Sequence, residues 1–220
     1  MCIRDSFKAS PKELVPCALV GIVGLAIANT CYYECMGEVG MSTASVLLYT
    51  SPVFGVALGR VLYREDVTPN KLVAILFNIV GCVLAVTSGD LSGFHFSAWG
   101  VTSGVIAGLC GALLAVFSRM ATKTLHPLAV TFWGFVFGGC FMAVLSAPWS
   151  DVTAAMSPQL ILLFAGFGFI PTALAYIFYM QGLSMDLETS KVPVVASFET
   201  VATVLVGIGI YAESAGAVKV

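Results

Sequence analysis

Residues 51–65 read SPVFGVALGRVLYRE, and residues 199–213 read ETVATVLVGIGIYAE. The two stretches have the same length. Val53 matches Val201, Val56 matches Val204, Gly59 matches Gly207, and Glu65 matches Glu213. Upstream, Tyr32 and Tyr33 precede the first stretch much as Tyr179 precedes the second. A chain that echoes itself in this way is built from two related units. What those units do depends on the solvent they fold in.

Composition identifies that solvent. The chain has 220 residues, of which 59% are hydrophobic and 10% charged, and its mean hydropathy is +0.97. Soluble domains carry about 25% charged residues. A soluble protein this apolar would have too few polar groups for its own surface, so the reading is a polytopic membrane protein. The net charge of −2 offers no basic patch for nucleic acid. The seven cysteines are scattered with no Cys-x-x-Cys pair, and His95 and His126 lie far apart. No metal or cofactor site is expected. Cys31 and Cys35 share a helix face and read as small packing residues.

A bilayer core needs about 20 apolar residues per helix. Such runs occur at Leu14–Tyr33, Ala44–Tyr63, Leu72–Thr87, Ala98–Phe117, Leu128–Ala147, Leu160–Gly182 and Val192–Tyr211. They are predicted to be helices, because an unclosed strand would leave backbone groups unpaired in lipid. The fold class is therefore all-α, a helical membrane bundle with seven visible spans. Pro171 is expected to kink the sixth run, and Pro52 and Pro193 to disturb the second and seventh. Gly55/Gly59, Gly104/Gly108 and Gly134/Gly138 are spaced to let helix backbones approach closely.

Lys and Arg set the orientation. Lys8, Lys12, Arg60, Arg64, Lys71, Arg119, Lys123 and Lys191 flank alternate connections. The other connections, ECMGEVGMST, SGDLSGFHFS and PWSDVTAAMSPQ, contain neither residue. Basic residues stay cytoplasmic, so the first run leads from inside to outside. Only Lys219 breaks the pattern. On this reading Glu65 is inside and Glu213 outside, so the two repeats are inverted. Inverted repeats mark secondary transporters, with the substrate near the midplane where the halves meet.

The stretch from Tyr32 to Val86, together with SFETVATVLVGIGIYAE at 197–213, resembles the repeat unit of the EamA family in the drug/metabolite transporter superfamily. The shared features are an aromatic cluster, a small-residue stretch, a Ser/Glu-Pro dipeptide within a helix, a Glu at the helix end and a Gly-bearing helix after it. The resemblance implies ten helices in two five-helix repeats, of which the third to ninth are visible. The implied organisation is a lead-in at 1–12, three helices of the first repeat at 13–89, and four helices of the second at 90–220. Ser51 stands where the pattern often has Glu, and Thr200 where it often has Pro. The implied activity is export or uptake of small metabolites such as amino acids by alternating access, in a bacterial inner membrane. The expected partners are a small-molecule substrate and the lipid bilayer, with a homodimer left open as the assembly. Residues 1–6, MCIRDS, are expected to be translated sequencing adaptor, with Phe7 opening the protein proper. An open groove is expected where the further helices belong.

Candidate site residues come from polar groups inside the runs. Glu199 lies about ten residues from either end of its run, hence about 15 Å deep. A carboxylate there is costly and should face a cavity or a partner, as a proton or cation site or as a structural hydrogen-bonding group. Helical spacing sets Ala196, Thr203 and Val206 on its face. The repeat pairs Glu199–Thr200 with Ser51–Pro52, and Pro52 frees a carbonyl beside the Ser51 hydroxyl. Asn29 and Tyr33 are four apart and share a face, Tyr33 being either a cavity-lining residue or an interfacial anchor. Tyr176 and Gln181 are further candidates. Trp99, Trp133 and Trp149 read as anchors, and His126 as solvated. The expected substrate site is Glu199, Ser51, Pro52, Tyr33, Asn29, Tyr176 and Thr203. The alternative reading is a seven-helix membrane receptor or sensor, or an intramembrane enzyme; a retinal protein would need a Lys deep in a helix and an intramembrane protease a buried Ser–His or Asp pair, the runs contain neither, and no catalytic residue is expected.

Overall fold

The computed structural model describes residues 10–87, 97–146, 158–185 and 192. Among these, every regular element is a helix. Helix α1 (Pro11–Leu19) passes through a π-helical stretch (Val20–Ile27) into α2 (Ala28–Leu48). Then follow α3 (Ser51–Tyr63), α4 (Pro69–Thr87), α5 (Ala98–Thr122) and α6 (Pro127–Ser146). Helix α7 (Pro158–Phe167) passes through a second π-helical stretch (Gly168–Leu174) into α8 (Ala175–Leu183). Five spans among the described residues are long and apolar enough to cross a bilayer: Pro11–Met41, Thr43–Tyr63, Ala98–Thr122, Pro127–Ser146 and Pro158–Leu183. Pro69–Gly81 is a shorter apolar helix. Six of the predicted runs thus fall on observed helices, and the seventh, apart from Val192, lies outside the described residues.

Local chemistry sets the helix ends. Ser10 N–H donates to the Glu13 carboxylate at 2.8 Å, and Pro11 opens α1 where no donor is needed. At α6, Pro127 takes the first position and the exposed His126 accepts the Leu128 N–H on Nδ1 at 3.3 Å, so His126 caps a helix as well as meeting solvent. Pro171 falls inside the second π-helical stretch. It has no N–H, so the Phe167 carbonyl loses its α-helical donor. The Thr172 hydroxyl donates to that carbonyl at 3.0 Å instead. The expected disturbance at Pro171 takes this form.

One expected connection is different. ECMGEVGMST continues as helix to Met41. The break comes at Gly40, with φ 83° and ψ 160° and nothing within 4 Å of where a Cβ would sit. Glycine is required there for its backbone angles and not for space. Polarity alone does not stop a helix, and Cys35 and Val39 before the break are buried together with Ala44 after it, packed by Tyr32, Met36 and Leu47. The Ser45 hydroxyl donates to Met41 O at 2.9 Å, which leaves the Tyr32 hydroxyl to donate to Ser45 Oγ at 3.2 Å.

The chain divides into two compact units. In the first, residues 10–26 pack with 117–146 and 158–185. Its central contact is backbone on backbone. A Cβ on Gly138 would lie 2.8 Å from Gly21 O, and one on Gly21 would lie 2.7 Å from Gly138 N and run into Gly134 O. Phe135 and Tyr176 join α6 to α8 edge to face, with ring centroids 5.3 Å apart. In the second unit, residues 27–87 pack with 97–116. There Ser97 begins α5: its hydroxyl accepts the Gly100 N–H at 3.4 Å and donates to the Glu38 carboxylate at 2.8 Å. A carboxylate beside a helix N-terminus is favourably placed.

Candidate functional site

The second unit contains a break in an otherwise continuous apolar span. Helix α2 ends at Leu48, Tyr49 and Thr50 form a turn, and α3 restarts at Ser51 with Pro52 in its first turn. Proline belongs in a first turn, because the N–H it lacks would have no helical acceptor. The expected disturbance at Pro52 is therefore a restart of the helix at Ser51, one residue upstream.

The carbonyls at the end of α2 can be followed one at a time. Leu47 O accepts the Thr50 N–H at 3.1 Å and the Thr50 hydroxyl at 2.6 Å. Leu48 O has no N–H four residues on, because that residue is Pro52. Gly108 of α5 lies against this turn: a Cβ there would come within 2.8 Å of the Thr50 hydroxyl, 3.2 Å of Leu47 O and 3.5 Å of Leu48 O. Val53 N–H turns to Thr50 O at 2.9 Å. The Asn78 amide on α4 reaches Tyr49 O at 3.5 Å. Ser51 Oγ lies over Gly111, 3.3 Å from where its Cβ would be. The bare face of α5 at Gly104, Gly108 and Gly111 thus lets the turn come close. Larger side chains would fill the space that Leu47, Thr50 and Ser51 occupy.

The result is a cluster of carbonyl, hydroxyl and amide groups at a break in an apolar span. It can accept hydrogen bonds from a donor and offer hydroxyls to an acceptor, and it holds no fixed charge among the described residues named here. Ser51 and Pro52 were legible in the sequence, and Pro52 is buried. Thr50 and Asn78 were not singled out. A signal for Asn78 existed: it is an amide in the middle of the apolar run LVAILFNIVGCVL. Asn29 and Tyr33 lie on the exposed side of α2, Tyr33 being 64% exposed. Glu199 and Thr203 lie outside the described residues.

The first unit has a groove of about 450 Å³ lined by Leu128, Thr131, Phe132, Phe135, Val136, Ala173 and Ile177. Tyr176 stands beside it, edge to face with Phe135 and with Tyr179 at 6.2 Å between centroids. The groove is apolar. Its one hydroxyl, on Thr131, already donates to Pro127 O at 3.0 Å. Gln181 is exposed on α8.

Comparisons with known proteins agree with an apolar helical transporter. The chain is 25% identical over 197 residues to an uncharacterized transporter of Archaeoglobus fulgidus, covering 88% of this chain and 68% of that protein. It is 21% identical over 203 residues to the uncharacterized transporter YyaM of Bacillus subtilis, covering 90% and 66%. It is 24% identical over 174 residues to the uncharacterized inner membrane transporter YicL of Salmonella typhimurium, covering 79% and 58%. The chain thus spans roughly three fifths to two thirds of the length of these relatives. A solved structure, described only as a crystal structure of a protein, has the same fold, with a TM-score of 0.70 at 16% identity over 98% of this chain and 85% of its own. The sequence model of the EamA-like transporter family matches residues 1–87 and 98–220. With apolar helices, a broken span and a family match over nearly its whole length, this chain is a multi-pass membrane protein that belongs to the EamA-like transporter family.

Proposed function

We propose that this transporter moves small metabolites such as amino acids across the cytoplasmic membrane of a bacterium, by alternating access between two inverted repeats. The repeats are the units of sequence at 13–89 and 90–220. The observation that carries the reading is the helix break at Tyr49–Ser51. It gathers carbonyls and hydroxyls at a break in an apolar span, beside the Asn78 amide of α4, and transporters bind substrate at such interruptions and rock their repeats around them. The internal repeat pairs Ser51 with Glu199, so a carboxylate joins the hydroxyl in the proposed site. Asn29, Tyr33 and Thr203 complete it. The name of the Salmonella relative supports the membrane assigned. No catalytic group takes part.

Counterflow tests the function without assuming a direction. Proteoliposomes holding the full-length protein and loaded with an unlabelled amino acid should accumulate the labelled one against empty-liposome controls. Failure with every proteinogenic amino acid would reject that substrate class. Orientation has its own test. A cysteine at Asp151 should react with an impermeant maleimide added outside, and one at Lys123 only from the cytoplasm. The reverse pattern would overturn the orientation.

A further inference from the structure

We infer that Asn78 is a positioning residue for the proposed substrate site: it pins the Tyr49 carbonyl and so sets the turn from which Ser51 and Pro52 are presented. The inference rests on the reading of that turn as the transport site. Asn78 is the tenth residue of α4, which has 19, so its amide sits at the middle of the helix. An amide there is costly unless it meets polar groups. The group it meets is particular. In an unbroken α-helix the Tyr49 carbonyl would accept from Val53, but the Val53 N–H goes to Thr50 O at 2.9 Å. The Asn78 Nδ2–H donates to Tyr49 O from another helix, 29 residues along the chain, at 3.5 Å. The Thr50 hydroxyl thus meets the Leu47 carbonyl from within the turn, and the Asn78 amide meets the Tyr49 carbonyl from α4. Held from that side, the turn keeps Ser51 over Gly111. Without the amide, the turn can relax toward a continuous helix or swing away from α4, and Ser51 moves with it.

Hydrogen exchange of the protein in lipid nanodiscs reads the turn directly. Asn78→Leu keeps the branching of the side chain and removes the donor. It should speed exchange over residues 47–54 by roughly fivefold, the effect of one modest hydrogen bond, and leave α5 unchanged. Asn78→Gln keeps a donor and should stay within about twofold of the parent over the same residues. Parent-like exchange in Asn78→Leu, faster exchange in α5 as well, or no rescue by Asn78→Gln would each overturn the inference. If Asn78→Leu does not fold, solid-state NMR of the parent labelled with ¹⁵N-Asn and ¹³C′-Tyr decides: an Asn78 side chain to Tyr49 carbonyl contact supports the assignment, and its absence rejects it. These readouts need no substrate. If counterflow fails while the exchange result holds, the transport-site reading falls and the pinning of the turn stands.

Discussion

Glu199→Gln is expected to lower transport by about tenfold to a hundredfold while leaving expression and folding intact. The magnitude corresponds to losing one hydrogen bond to a charged group, roughly 1.5–3 kcal/mol. The reasoning starts from cost. A carboxylate near the middle of an apolar run is expensive to keep in a membrane, and such residues mark substrate, ion or proton pathways. The repeat then pairs it with Ser51, the first residue of α3 after the break. Glutamine has nearly the shape of glutamate and keeps one acceptor oxygen, with an NH2 donor in place of the other. It loses the charge and the exchangeable carboxyl proton. A purely structural Glu199 would tolerate that change, and a substrate- or proton-binding one would not. Counterflow measured across a pH series in the full-length protein checks it. Parent-like rates at every pH would show that the charge takes no part in transport.

Gly138→Leu is expected to destabilise the protein by about 3 kcal/mol or more, whereas Gly139→Leu should change it by less than about 0.5 kcal/mol. The two positions are adjacent on α6 and meet opposite surroundings. A Cβ at Gly138 would sit 2.8 Å from Gly21 O, 3.3 Å from Gly21 C and 3.4 Å from Gly21 Cα. These are backbone atoms, which cannot move aside as a side chain can. Gly139 is exposed and has nothing within 4 Å of its Cβ position. In lipid, apolar surface does not drive helices together, so close backbone packing supplies much of the association energy. Leucine at 138 removes that packing over the Gly21–Gly134–Gly138 contact, and leucine at 139 adds one more apolar side chain on an exposed face. Thermal unfolding in one detergent, followed by size-exclusion chromatography, separates them. Equal stability of the two variants would show that the Gly21 contact does not hold the Val20–Ile27 stretch to α6.

The sequence by itself determined the solvent, the helices and the family. A charged fraction of 10% excludes a soluble surface. Apolar runs of the length a bilayer requires fell on observed helices six times, five with ends displaced by five residues or fewer and the first ending at Met41 rather than Tyr33. Loose motifs in a fixed order, repeated once, pointed to the EamA-like family that the comparisons then established. The Gly134/Gly138 and Gly104/Gly108 pairs were also visible as places for close approach. Which surface each pair meets was decided only in three dimensions: Gly21 of the N-terminal span for the first, and the turn at Leu47–Thr50 for the second. The same holds for the break at Gly40, the restart of the helix before Pro52, and the reach of Asn78 to Tyr49. The reason is the solvent. A soluble helix shows its buried face as an apolar stripe against a polar one. A membrane helix is apolar on lipid-facing and protein-facing sides alike, so hydropathy marks where it lies along the chain and is silent about which side packs. That choice is made by small residues and by single hydrogen bonds between helices, whose partners are far apart in sequence and meet only when the bundle assembles.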